Sequence, residues 1–206
     1  MSYAVHSLFL THQGEGAHIG RLAVFIRFAG CNLWSGREED RATAICRFCD
    51  TEFVGGRRYA DAEALAEAAG ALWPDAQAAD KFCVLTGGEP MLQVDTALIR
   101  ALKARSFRTA IETNGTVEPL SSLDWVTVSP KAGTTLATDH ADELKLVYPQ
   151  PGLEPHDFAG FRATHRWLSP MDGAQLRQNV DAAVAYCLRH PEWRLAIQAH
   201  KYWRVP

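Results

Sequence analysis

At 206 residues with 47% hydrophobic side chains, the chain can bury one substantial core and has little room for two, so a single domain spanning 1–206 is expected. A net charge of -3 and a pI of about 6.2 supply no basic field for nucleic acid, and local spots such as Arg57-Arg58 read as solvated. No apolar run is long enough to cross a membrane, and Met1-Ser2-Tyr3-Ala4-Val5-His6 lacks the basic region of a secretory signal, so a cytoplasmic setting with reduced thiols is expected.

The first predicted strand, Ala23 to Phe28, runs into Gly30-Cys31. The charge-rich insert Ser35-Gly36-Arg37-Glu38-Glu39-Asp40-Arg41 follows and reads as a solvated excursion. It leads to Cys46 and Cys49, which complete the pattern C-x14-C-x2-C and enclose Phe48, an aromatic suited to lying against a flat ligand. Three thiolates suit an iron-sulfur cluster that keeps one iron open to an amine or carboxylate, where four would close it. Zinc remains an alternative, although the nearest fourth ligands, His12 and His18, precede Cys31 at no zinc-finger spacing. A disulfide is disfavoured by the odd total of five cysteines. Cys83 and Cys187 lie in apolar patterns and read as core residues.

The next elements alternate. A helix over Asp61 to Leu72 has Asp61 as its N-cap, and the strand Phe82 to Leu85 ends in Thr86-Gly87-Gly88-Glu89-Pro90. A helix from Leu92 to Arg105 begins just after Pro90. The strand Thr109 to Glu112 ends in Thr113-Asn114-Gly115, and Trp125 to Val128 ends in Ser129-Pro130-Lys131. Glu143 to Tyr148 is the fifth strand, and His165 to Leu168, the sixth, runs into Ser169-Pro170-Met171-Asp172. The helix Ala174 to Arg189 carries Leu176, Val180, Ala183, Val184, Cys187 and Leu188 at helical spacing and stops before Pro191. A last strand-like run covers Arg194 to Ala199.

This β/α rhythm implies an α/β fold with a parallel sheet of about six strands. A closed eightfold barrel typically needs about 250 residues, so a partial β/α barrel of about six units is the expectation, with its active site at the C-terminal strand ends. The unusual residues gather at that rim.

Cysteines after the first strand with an aromatic before the third, then Gly-Gly-Glu-Pro after the second, resemble the radical S-adenosylmethionine (SAM) superfamily, whose usual spacing is C-x3-C-x2-C. The wider gap, together with Gln13-Gly14-Glu15-Gly16, Arg27 through Trp34, Cys49-Asp50-Thr51, Ser129-Pro130-Lys131, Pro170-Met171-Asp172-Gly173 and Gln198-Ala199-His200-Lys201, resembles the 7-carboxy-7-deazaguanine synthase family from about residue 3 to Pro206. The resemblance implies a carbon-nitrogen lyase of queuosine-type biosynthesis. It would contract 6-carboxy-5,6,7,8-tetrahydropterin to 7-carboxy-7-deazaguanine, releasing ammonia, with a [4Fe-4S] cluster, SAM and Mg2+ as cofactors. A flavodoxin-type electron donor and a homodimer are further implied.

By the same resemblance Cys31, Cys46 and Cys49 hold the cluster on an expanded loop over 31–49, and Thr51 binds Mg2+. SAM contacts fall on Phe48, Cys49, Asp50, Gly88, Ser129, Pro130, Lys131, Ser169, Pro170, Met171 and Asp172. Gly88 would let backbone approach the methionyl amine. Substrate contacts fall on His12, Gln13, Gly14, Glu15, Thr86, Glu112, His200 and the terminal carboxylate of Pro206. Arg27 is the natural partner of the pterin carboxylate, because a guanidinium fork engages a carboxylate through two parallel hydrogen bonds. Two other readings stay open: an activase that makes a glycyl radical on a partner protein, and a zinc module without catalysis.

Overall fold

The computed structural model describes residues 1–74 and 80–205. Their strands form one nine-stranded sheet in the order β3-β1-β2-β4-β5-β6-β7-β8-β9. β2 (Leu22–Phe28), β4 (Lys81–Gly87), β5 (Phe107–Thr113), β6 (Trp125–Val128), β7 (His140–Tyr148), β8 (Arg162–Pro170) and β9 (Arg194–Leu195) pair in parallel, one after the next. The sheet is open, as a partial barrel requires, and its edges are β3 and β9.

Two strands lie outside the sequence expectation. β1 (Tyr3–His12) pairs antiparallel with β2, and the short β3 (Arg57–Tyr59) pairs antiparallel with β1. The final run is strand only over Arg194–Leu195; Ala199 instead opens a short helix, α4 (Ala199–Trp203).

The helix expectations hold with shifted starts. α1 (Ala62–Ala71) is capped by Asp61, whose carboxylate accepts from Ala64 N. α2 (Thr96–Ala104) begins later than Leu92, which ends a 3-10 turn over Pro90–Leu92; Asp95 is the cap and accepts from Leu98 N. α3 spans Leu176–Arg189, two residues later than its expected start at Ala174. Six helical crossovers do not form. The connections from β5 through β8 are irregular, apart from a 3-10 turn over Pro155–Phe158, because they are rich in Gly, Pro, Ser and Thr and carry no helical stripe.

Strand alternation sorts the two faces. Cys83 and Leu85 of β4 point out into the main core with Leu65, Leu98, Ile99 and Leu102 of α1 and α2. Cys83 is wholly buried there, as expected, while Cys187 packs half-buried beside a second core around Leu144, Leu168 and Trp193. Phe82 and Val84 point inward with Phe25 and Ala110. The same alternation carries Arg27, Thr86, Glu112, Ser129 and Ser169 inward at the strand ends and Lys145 inward from the middle of β7, and all line a common cavity.

Candidate active site

That cavity has a volume of about 540 Å³. Its floor is the loop joining β1 to β2. A 3-10 turn over Gly16–His18 pushes this loop into the barrel interior, where the His18 ring packs on Phe82 and Trp125 at 4.8 and 4.4 Å. Gly16 is at φ 70 and lies against the Glu143 carboxylate, so a side chain would be both strained and obstructed.

The three cysteines of the pattern line one end of the cavity. Cys31 leaves β2 in a turn whose Leu33 N–H donates to its sulfur at 3.4 Å. Burial pushes the Cys31 thiol up, against those backbone donors. Cys46 donates to Cys49, and this hydrogen bond pulls the Cys49 thiol down to about 6 while raising Cys46. Among the described residues no three His, Cys, Asp or Glu side chains converge on a point suited to a single ion. A cubane makes a different demand, since each thiolate takes its own iron, and three thiols along one wall fit it.

The insert is more than a solvated excursion. It forms a 3-10 helix over Glu38–Thr43, from which Arg41 turns back to stack on Trp34 at 4.1 Å and to donate to the carbonyls of Arg47 at 2.9 Å and Cys49 at 3.1 Å. Arg41 therefore fastens the long loop to itself beside the second and third cysteines, and charge composition alone did not reveal this.

Phe48, Asp50, Gly88, Ser129, Lys131, Ser169, Pro170, Met171 and Asp172 all line the same cavity. Pro130 does not: it is buried, because alternation between Ser129 and Lys131 turns it to the other face. The Lys131 ammonium donates to the Ser129 hydroxyl at 2.9 Å, and burial lowers its proton affinity. Gly88 has an additional reason to be glycine, since a Cβ there would collide with the Gly30 carbonyl where the two turns cross. Glu89 beside it is wholly buried and accepts from Thr113 Oγ1 at 2.7 Å, Asn114 N at 2.7 Å and Met91 N at 2.9 Å. Asn114 in turn donates to Asn32 at 3.0 Å, next to Cys31. The carboxylate of Gly-Gly-Glu-Pro is thus the clasp between the ends of β4 and β5.

His12, Gln13, Gly14, Glu15, Arg27, Thr86, Glu112 and His200 line the other part of the cavity. Gln13 donates to Glu112 Oε1 at 2.9 Å and Thr86 donates to Oε2 at 3.4 Å. The Arg27 side chain makes no hydrogen bond or ion pair among the described residues, which leaves its guanidinium free for a ligand. His12 is exposed, its ring edge-on to Trp203 at 6.4 Å. Gly14 accepts from Ala199 N at 2.9 Å and lies too close to His200 for any side chain, so α4 seats on the floor loop. Thr51 is half-buried on the wall beside Cys49. Pro206 lies outside the described residues.

Sequence reading passed over Lys145 and underrated Lys201. Lys145 donates to Glu15 Oε2 at 2.7 Å. Lys201 donates to Asp50 at 3.0 Å, to Gln198 at 2.8 Å and to Asp172, so it ties α4 to the cluster loop and to the end of β8. A signal for Lys145 existed: Glu143 and Lys145 stand two apart in an otherwise apolar strand, which places both on one face.

Comparison with known proteins agrees with this arrangement. The profile of the Radical SAM superfamily matches residues 40–144. A 7-carboxy-7-deazaguanine synthase of Bradyrhizobium diazoefficiens is 55% identical over 98% of both chains, and one of Bordetella pertussis is 52% identical over 100% of both. The crystal structure of QueE from Escherichia coli superposes with a TM-score of 0.72 at 24% identity, covering 97% of this chain and 95% of that one, and so shares its fold. With the cysteine wall, the open parallel barrel and full-length identity all in agreement, the chain belongs to the 7-carboxy-7-deazaguanine synthase family of the radical SAM superfamily.

Proposed function

We infer that the chain contracts the ring of 6-carboxy-5,6,7,8-tetrahydropterin to 7-carboxy-7-deazaguanine, releasing ammonia, in queuosine-type biosynthesis. The observation that carries this reading is the single cavity shared by the three thiols and the uncommitted Arg27. A cluster and SAM held there would supply the radical chemistry for hydrogen abstraction. Everything else falls to the protein. Cys31, Cys46 and Cys49 anchor the cluster, while Phe48, Asp50, Gly88, Ser129, Lys131 and the segment Ser169 to Asp172 hold SAM beside it. Arg27 binds the pterin carboxylate, and Gln13, Thr86 and Glu112 meet its polar edges. The floor loop and α4 exclude water. Anaerobic incubation of the reduced holoenzyme with SAM and the carboxypterin, followed by mass analysis, tests the reading; the deazaguanine product is expected, and SAM cleavage without it overturns the substrate assignment.

Arg27→Ala is expected to raise KM for the carboxypterin about ten- to a hundredfold, the worth of a charge-assisted pair in a shielded site. Arg27→Lys should recover only part of this, since an ammonium cannot make the two parallel bonds. Steady-state kinetics on both variants decide it, and an unchanged KM in Arg27→Ala removes the residue from the site.

Thr51 is proposed as the Mg2+ ligand, its one hydroxyl completed by substrate and water, as suits an ion that keeps much of its hydration. Chelation should then depress product formation more than reductive cleavage of SAM. Equal sensitivity of the two reactions would take Thr51 out of that role. We further take 1–206 as one radical SAM domain with an expanded cluster loop over 31–49, a reading supported by the continuous sheet. A cytoplasmic homodimer served by a flavodoxin-type reductant completes the proposal. No described helix is long and apolar enough to cross a membrane.

A further inference from the structure

Two carboxylates enter the substrate end of the cavity from different elements, and one ammonium lies between them. Glu15 comes from the floor loop and Glu112 from the end of β5; their side chains are 14% and 25% exposed, and that of Lys145 is 12% exposed. Lys145 Nζ is 2.7 Å from Glu15 Oε2 and 4.0 Å from Glu112 Oε2. Gln198 donates to the other oxygen of Glu15 at 3.3 Å, and Gln13 donates to the other oxygen of Glu112 at 2.9 Å. Both carboxylates are therefore held in place by neutral amides, and Lys145 is the cation in ion-pair range of both.

We propose that Lys145 is the positioning residue of the substrate pocket: from the middle of β7 it holds Glu15 and Glu112 together as acceptors for the N–H donors of the reduced pterin. The proposal rests on the functional reading above. A tetrahydropterin offers such donors at its aminopyrimidinone edge and at its two saturated-ring nitrogens, and an ionised carboxylate only accepts, whereas a protonated one donates from one oxygen. Two carboxylates sharing a shielded site repel, and without a cation one of them takes up a proton. The electrostatics agree with the geometry. Despite burial, which alone would raise it, Glu15 sits below its ordinary value because of Lys145, and Lys145 is raised by Glu112 and Glu15.

The other charged or titratable groups around this cluster are Glu143 on the same strand, Lys131 after β6, His200 of α4 facing Glu15, and His165 of β8, which pairs with Glu143 across the sheet. Burial raises Glu143, and the Trp125 indole and Ala17 N–H already bond to it at 2.9 and 3.1 Å, so it is committed to the floor.

In the wild type Lys145 holds Glu15 below its ordinary value, so Glu15 stays charged and KM for the carboxypterin should be flat from about pH 6 to 8.5. In Lys145→Met the Glu15 value rises, and KM should exceed wild type by at least about tenfold near pH 6.5, narrowing to about threefold near pH 8.5 as Glu15 ionises again. Lys145→Arg, which keeps the charge, should restore the flat profile. Iron and sulfide content reports on folding; if Lys145→Met loses its cluster, Lys145→Gln, neutral but still a donor, carries the same readout. A KM raised equally at every pH, or unchanged, overturns the proposal. Glu112→Gln separates the two levels: an unchanged KM in that variant, with wild-type turnover intact, overturns the carboxylates as acceptors and Lys145 with them. Absence of deazaguanine from the wild type would instead sink the underlying reaction.

Discussion

Cys31→Ala abolishes turnover, although Cys31 precedes its nearest partner in the pattern by a long and irregular loop. The reason lies in where the fold puts the thiols: Cys31 leaves the end of β2, Cys46 and Cys49 return from the insert, and all line the same wall. Removing one thiolate leaves two anchors for a cluster that needs three, and the remaining irons are then held by solvent and exogenous ligands. Iron and sulfide per chain should fall together with the visible absorption of the anaerobic preparation. Wild-type product formation and full iron content in Cys31→Ala would refute the cluster assignment.

The second large effect belongs to a residue that should touch neither cofactor nor substrate. Glu89→Ala deletes the acceptor for three donors, two of them backbone N–H groups, at a fully buried position. Each orphaned donor costs about 1–3 kcal/mol, so a loss of about 3 kcal/mol or more in unfolding free energy is expected. A urea midpoint measured with an unchanged slope checks it. Iron occupancy should also drop, because Asn114 loses its anchor and Asn114 holds Asn32 beside Cys31. Glu89→Gln keeps the volume and one acceptor oxygen and should be milder. A change below about 1 kcal/mol in Glu89→Ala would mean that the clasp is replaceable by ordinary turn contacts.

The parallel strands were legible because each is an apolar run ending in a Gly-, Pro- or Ser-marked turn, and the cap Asp61 follows ordinary helix chemistry. The site was legible to the extent that it sits at those turns. β1 was not: Tyr3–His12 mixes polar and apolar residues, is half-buried along much of its length and takes its identity from pairing with β2. Leu92 reads as a helix start by composition, yet Glu89 caps a separate turn there and Asp95 starts the helix anew. Arg27 was reached through the resemblance and the fit of a guanidinium to a carboxylate, whereas Lys145 sat in a strand read only as part of the sheet. Glu89 was visible as part of a motif, but the direction of its side chain, away from the cavity and into three donors, is a property of the folded turns.

The seating of α4 has a consequence for how the enzyme is made. This helix meets the floor loop through Gly14, and Lys201 joins Asp50 to Asp172, so the last side of the cavity consists of residues that leave the ribosome after every segment they join. Until then the thiol wall stands open on that side. α4 therefore adds its contacts only after the other walls of the cavity have been synthesised.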